Sequence, residues 1–493
     1  MMFNTLGFLV FFPIVIAIYF IIPKKVRVYW LLIASYYFYM SWNVGYGTLL
    51  FASTFTTYLG GLIISKVRNK PGKVTALIVT LLCNFGMLFV FKYFGFFTDV
   101  VIRISESFGV TLKAPEFSLL LPMGISFFTF QAVSYTIDVY RDESVCEKHF
   151  FKYALFVSFF PQLVAGPIER SGNLLKQIKD CANIKLWNAR RVYEGAILML
   201  YGYILKMIIS DRAKLFVDKV YDLDGYAAYT GLIPIIATIL FAIQIYCDFA
   251  GYTYIAMGAA KVMGFQLMDN FNTPYFATSI TDFWARWHIS LTNWFRDYVY
   301  IPLGGNRKGK LRKYINIFVV FTLSGLWHGA SYTFVFWGVL HGILRIVDEA
   351  SAKVRDKVFK FFGARENFSY RLFRVMGTFI FVCLAWVFFR ARHMDQALDI
   401  IRNMWHWNPW VLHDGTIFNF GLDAKEWNVM FAALAFLTIM DCFKYKKKDL
   451  LPKVAEQGWI FKGLVLVVGI LAVVIFGIYG PQYDAASFIY FQF

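Results

Sequence analysis

The feature that most constrains this chain is the recurrence of apolar runs about as long as a bilayer is thick. Clear examples are "LGFLVFFPIVIAIYFII" (6–22), "VTALIVTLLCNFGMLFVF" (74–91), "YTGLIPIIATILFAIQIY" (229–246) and "LVLVVGILAVVIFGIYG" (464–480). A helix of about 20 apolar residues crosses roughly 30 Å of hydrocarbon. In lipid a spanning segment has to satisfy its own backbone polar groups, and a helix does so internally. Charged residues make up 16% of the chain, against roughly a quarter in soluble domains. The expected fold class is therefore an all-α polytopic membrane protein. The first run has no basic stretch before it and no small-residue cleavage site ahead of "PKKVR". It is expected to stay as a helix rather than leave as a signal peptide.

The net charge of +18 does not imply a nucleic-acid partner, because in a membrane chain Lys and Arg mark cytoplasmic loops. "PKKVR" (23–27), "SKVRNKPGK" (65–73), "NRKGKLRK" (306–313) and "KYKKK" (444–448) are basic without an acid and are assigned to the cytoplasm. The neutral or acidic stretches 99–116, 217–226 and 391–426 go outside. The alternation closes with about twelve crossings (11–13) if 149–166 dips in and returns, and both termini then lie outside. Six cysteines are scattered with no CxxC, so neither a metal site nor a disulfide framework is expected. Residues 1–480 read as one transmembrane domain, with 481–493 as an external aromatic tail. Between 251 and 313 the apolar pattern breaks. Irregular backbone at membrane depth is tolerated where protein or a water-filled cavity surrounds it, so short cytoplasmic helices and re-entrant pieces are expected there.

Several catalytic templates are absent: HExxH, GxSxG and GxGxxG do not occur. "GGNRKGKL" (304–311) fits GxxxxGK, but Leu311 stands where a P-loop needs Ser or Thr for Mg²⁺. Its Arg307, Lys308 and Lys310 suit a positive-inside anchor or a dock for the phosphates of a donor such as coenzyme A. Two stretches carry more. In "TDFWARWHISLTNWFRDYVYIPLGG" (281–305) a helical reading puts Asp282, Arg286 and Asn293 on one polar face, with Asp282 and Arg286 able to pair. Trp284, Trp287 and His288 take the adjacent face. An interfacial helix with a tryptophan belt accounts for this as readily as a binding surface does.

"SGLWHGASYTF" (324–334) keeps His328 inside an apolar stretch, beside Ser324 and Trp327. An ionisable group in a spanning segment is by default functional. A neutral imidazole also supplies what a general base needs, while a histidine satisfied by a neighbouring helix is the simpler alternative. His341 shares a helix face with Arg345, and His393, His406 and His413 fall in the external stretch; all are weaker candidates.

Five blocks carry a family resemblance: "LPMGISFFTFQAVSYTIDVYR" (121–141), "FVSFFPQLVAGPIER" (156–170), "QIYCDFAGYTYIAMG" (244–258), "DFWARWHISLTNWFRDYVYIPLGGNR" (282–307) and "LSGLWHGASYTFVFWGVLHG" (323–342). In content and order they resemble the membrane-bound O-acyltransferases, in the branch that serves alginate O-acetylation, with the D-alanyl transfer proteins of teichoic acid as relatives. The resemblance implies a ring of helices around a central tunnel in a bacterial plasma membrane. It implies acetyl-CoA as cytoplasmic donor, a surface-anchored acyltransferase as partner and an extracellular polysaccharide as acceptor. It makes His328 the catalytic base and His288 the second histidine. Asp282, Trp284, Arg286, Trp287, Asn293, Ser324 and Trp327 become substrate-binding candidates, with Arg307, Lys308 and Lys310 for the donor. The tail "YGPQYDAASFIYFQF" resembles the aromatic end of a companion peptide of D-alanylation, which makes Tyr490 an acyl relay; an interfacial anchor is the alternative. A transporter would show paired halves with matching interruptions, whereas here the interruption occurs once. An acyltransferase for a lipid or protein acceptor is the third reading.

Overall fold

The computed structural model describes residues 1–113, 121–164, 166–361 and 367–480. Among these residues every regular element is helical. Seven helices are long and apolar enough to cross a membrane: Val44–Lys66, Lys70–Ser107, Ala189–Val220, Leu232–Met263, Phe368–Arg390, Ala424–Tyr445 and Trp459–Phe476. Leu6–Ile21 is apolar but 16 residues long. Gly309–His328 and Tyr332–Phe361 have 20 and 30 residues, with charge gathered in the first part of one and the second half of the other. The tail 481–493, with Tyr490, lies outside the described residues.

The chain divides into two compact units. One comprises Met1–Ala196 with Ala256–Met268, the other Ile197–Ile255 with Asp269–Phe493. In the first, Val44–Lys66 packs on Lys70–Leu88 through small and polar residues. Ser53 Oγ donates to Asn84 Oδ1 at 2.7 Å, and a Cβ on Gly60 would sit 2.2 Å from Thr80 Oγ1. Small side chains at a helix crossing and hydrogen bonds between helices are how membrane helices associate without a hydrophobic drive. Residues 150–163 form two short helices, Phe150–Ser158 and Phe160–Leu163, each too short to cross. The Phe160 amide between them donates to Ser35 Oγ at 3.1 Å.

In the second unit two helices form a tight hairpin, Gly309–His328 and Tyr332–Phe361. Their backbones meet at glycines. A Cβ on Gly325 would lie 2.3 Å from the Phe334 carbonyl oxygen and 3.0 Å from the Gly338 Cα, and one on Gly338 would lie 2.4 Å from the Phe321 carbonyl oxygen. Deeper in this unit Lys206 Nζ is 2.7 Å from both Asp211 and Asp248, all three almost fully buried. Asp248 belongs to Leu232–Met263 and Lys206 to the Ala189–Val220 span, so these charges reach membrane depth only as a mutually paired group.

The 251–313 stretch departs from expectation at its start and holds short helices further on. Its first residues continue the Leu232–Met263 helix, because "AMGAAKVM" offers nothing that breaks one, and the chain turns at Gly264, φ 95°. The 281–305 stretch is not one helix. It forms Ile280–Arg286, then Ile289–Phe295, broken at Trp287–His288, where His288 adopts φ 44°, ψ 53°. The single helical wheel drawn through Trp284 and His288 is therefore replaced by a corner.

Gly338→Leu should disrupt the hairpin, costing about 1–3 kcal/mol as overpacking does and lowering the melting temperature in detergent. Gly377→Ala, in a helix where a Cβ meets nothing within 4 Å, serves as control and should melt at or slightly above the parent. Equal melting of both variants would refute the close crossing.

Candidate active site

The corner at His288 places an imidazole where a helix could not. A non-glycine residue in the left-handed region is uncommon, and histidine is among the types found there. Asn270 holds the corner. Its backbone carbonyl accepts the Ile289 amide at 3.0 Å, and its side-chain Oδ1 accepts the Ser290 amide at 3.2 Å and Ser290 Oγ at 2.9 Å. The same Oδ1 lies 3.1 Å from His288 Nδ1. A backbone N–H can only donate, so the atom facing Ser290 is the amide oxygen. His288 Nδ1 must then carry the proton, and the lone pair sits on Nε2. His288 is fully buried. Burial pushes its pKa down to about 3, so the ring is neutral at any physiological pH.

His328 ends the Gly309–His328 helix, one turn after Gly325, and is 5% exposed. Its ring centroid is 6.4 Å from that of His288. Around the pair stands an aromatic wall. Trp327 lies 5.9 Å from His288 and 5.0 Å from His328. Trp337 and Phe389 stand 5.1 and 5.3 Å from His328, and Phe249 is edge-on to His288 at 4.7 Å. The glycine crossing lets Trp337, next to Gly338, reach His328. Behind it Trp284 Nε1 donates to His341 Nδ1 at 3.2 Å. Trp287, fully buried, packs 5.1 Å from Trp386.

The sequence-named residues therefore separate into three groups. His288, His328 and Trp327 come together, with Ser324 buried one turn before His328. Trp284 and Trp287 form the layer behind them. Asp282 and Arg286 pair at 2.7 Å as expected, but their further bonds run to Thr278, Asn272 and Thr273. They brace the turn that carries Asn270. Asn293 is half-buried on the Ile289–Phe295 helix, while Arg307 and Lys308 are exposed in the turn before Gly309 and Lys310 is exposed in the first turn of the Gly309–His328 helix. Sequence reasoning missed Asn270, Trp337, Trp386 and Phe389. Trp337 and His341, four apart on one helix face, were the one local signal; the others arrive through tertiary packing.

Paired buried histidines among aromatics, one held neutral with a defined tautomer, are chemically able to exchange a proton with a group shielded from water. Residues 141–389 match the model of the MBOAT, membrane-bound O-acyltransferase, family, and the chain belongs to that family: it is a multi-pass membrane O-acyltransferase. It is 35% identical to the probable alginate O-acetylase AlgI of Pseudomonas syringae pv. tomato, over 91% of this chain and 84% of that one. It is likewise 35% identical to the peptidoglycan O-acetyltransferase of Helicobacter pylori, over 82% and 80%. The teichoic acid D-alanyltransferase of Bacillus subtilis is more distant, at 29% over 56% and 71%.

Asn270→Ala should leave three donors around His288 and Ser290 without their acceptor, costing about 1–3 kcal/mol for the buried group and lowering acyl transfer. Asn270→Asp, which keeps an oxygen in place, should retain more of both; thermal melting and a transfer assay on the two variants decide it. The depressed His288 pKa also fixes a pH trend. An unfolded histidine binds a proton below about 6.5 while the folded one stays neutral, so stability should fall as pH drops from there toward 3. His288→Gln should flatten that slope.

Proposed function

We propose that this chain takes an acetyl group from cytoplasmic acetyl-CoA and delivers it for O-acetylation of an extracellular polysaccharide, through a separate surface-anchored acyltransferase. The observation that carries the reading is the buried His328–His288 pair, with ring centroids 6.4 Å apart, at the end of a 20-residue helix whose other end lies within the basic 306–313 stretch. Such a helix is about 30 Å long, the thickness of a bilayer's hydrocarbon. The names of the relatives, an alginate O-acetylase and a peptidoglycan O-acetyltransferase, support a polysaccharide as the eventual acceptor.

In the proposed reaction His328 accepts the proton of an acceptor hydroxyl. The oxygen attacks the thioester carbonyl, the new C–O bond forms, and the C–S bond breaks. The departing thiolate takes up the proton from the imidazolium, so no other reactant is needed. His288 presents a neutral ring with a fixed lone pair beside this exchange. The wall of Trp327, Trp337 and Phe389 keeps water, a competing nucleophile, from the acyl group. Two segments assigned outside by charge lie together, which supports the sidedness: Gln396 Nε2 donates to the Tyr221 carbonyl at 2.9 Å. Both termini would then face outward in the plasma membrane.

His328→Ala should abolish polymer acylation in cells while protein abundance in the membrane stays near that of the parent; near-normal acylation would remove His328 from the reaction. The tail supplies the second test. A phenol ionises near pH 10, so Tyr490 needs a base to become a nucleophile. Once acylated, its phenolate is a better leaving group than a sugar alkoxide. Tyr490→Phe removes only the hydroxyl and should reduce acylation to background at unchanged protein level. Normal acylation by that variant would make Tyr490 an anchor.

A further inference from the structure

Away from the histidines, three spanning helices enclose a slot. Its floor is the Ala189–Val220 span from Ile197 to Ile208, and its walls are the helices Ala424–Tyr445 and Trp459–Phe476. The short helix Leu450–Val454 reaches into one end. The slot holds about 730 Å³, the size of a small-ligand site. Of its twenty lining residues, Asn428 and Tyr201 alone carry side-chain nitrogen or oxygen. From Asn428 to Met440 one wall runs for about 18 Å of helix, slightly more than the ~15 Å of hydrocarbon in one leaflet.

The two ends of the slot differ. At one end Arg212 ties the floor to both walls: its guanidinium pairs with Glu426 of the first wall and donates to the Phe476 carbonyl of the second at 2.8 Å. The Ile478 amide adds a bond to the Met207 carbonyl at 2.9 Å. Midway, Gly469 lets the second wall lie on the floor, since a Cβ there would be 2.5 Å from Leu200 Cδ2. At the other end the walls finish at Tyr445 and Trp459. The connection between them carries Lys446, Lys447, Lys448 and Lys453, all exposed. Two acids, Asp449 and Glu456, stand against these four, and Asp449 already accepts the Leu451 amide at 3.2 Å. In the orientation proposed above, this end is cytoplasmic.

We propose that this slot holds an acyl chain of an anionic phospholipid from the leaflet at the lysine end, with the headgroup phosphate among Lys446, Lys448 and Lys453. The tie at Arg212 leaves the lysine end as the place for the headgroup, and the slot's length matches a chain that stays within its own leaflet. Basic groups at the mouth of a groove between spanning helices are a recurring headgroup site. The positive-inside bias accounts for basic loops in general, but not for a leaflet-deep apolar slot that ends at this one. A second copy of the chain fits less well, because a two-fold contact through this face would bring two lysine clusters together. The bound lipid would brace the stretch that carries Lys206, which lies between the lining residues Ile204 and Ile208 and is shared by Asp211 and Asp248.

The test uses the full-length protein, stripped of lipid in a non-ionic detergent, and native mass spectrometry, which reads bound lipid and copy number together. Three probes are titrated: long-chain phosphatidylglycerol, phosphatidylethanolamine with the same chains, and short-chain phosphatidylglycerol, which keeps the headgroup without the reach. Long-chain phosphatidylglycerol should bind most tightly and raise the melting temperature, as a ligand of the folded state does. Lys446→Gln with Lys448→Gln and Lys453→Gln should cut its preference over phosphatidylethanolamine at least about tenfold, roughly 1.4 kcal/mol. Ala432→Trp fills the slot from one wall and Val468→Trp from the other; both positions are exposed, so the fold should tolerate them. Each should weaken both long-chain lipids about tenfold and leave the short-chain lipid unchanged. Parent-like binding of long-chain lipid by both tryptophan variants overturns the slot as the site. Equal affinity of the parent for the two long-chain headgroups overturns the anionic assignment. A dimer that either tryptophan variant converts to a monomer makes the slot an interface between copies and overturns the lipid.

Discussion

The site depends on two helix backbones touching. Where Gly325 and Gly338 meet, a Cα lies 3.0 Å from where a side chain would begin, and that closeness sets what the neighbouring residues can reach. Trp337 follows from it, as does the placement of His328 one turn beyond Gly325 against the Trp337 ring. The hydrophobic effect cannot drive such a crossing inside lipid, where the alternative surroundings are equally apolar; close packing of small residues can. Gly329 extends the same economy of space, since a Cβ there would strike the Phe334 ring at 2.3 Å. The glycines around the histidine are thus chiefly a packing device.

Polar groups in this setting are tolerated on strict terms. Lys206 is shared between two carboxylates at 2.7 Å each, and breaking one partner of such a buried set leaves a charge stranded in a low dielectric. His288 meets the same terms differently: it gives up its charge, and one amide oxygen fixes where its remaining proton sits. A single buried asparagine therefore decides which nitrogen is basic. That control is indirect, and none of it is visible in the imidazole itself.

The sequence carried the membrane class openly, because apolar runs of bilayer length have few other uses. It also singled out His328, since an ionisable residue in an apolar stretch is costly to keep, while the family resemblance singled out His288; the fold brings the two rings together. The Asp282–Arg286 pair was legible from its spacing. What escaped was everything made by corners and long-range packing. Periodicity assumes an unbroken helix, and the break at Trp287–His288 leaves no mark in hydrophobicity. Asn270 sits in the irregular turn "MDNFNTP", eighteen residues before the ring it orients. Phe389 and Trp386 arrive from a helix far along the chain. The roles of Asp282 and Arg286 also read differently in three dimensions: the pair that looked like a binding face braces the turn beneath it.

The left-handed backbone at His288 has one more consequence. Residue 288 answers to two separate demands, a torsional one from the corner and, in the proposed reaction, a chemical one from the site. Alanine or a branched side chain fails both together, so lost activity in such a variant speaks of the bent chain as much as of the missing ring. Glycine accepts the torsion freely and carries no ring. The corner thus makes this histidine a part whose shape and reactivity can be taken away one at a time.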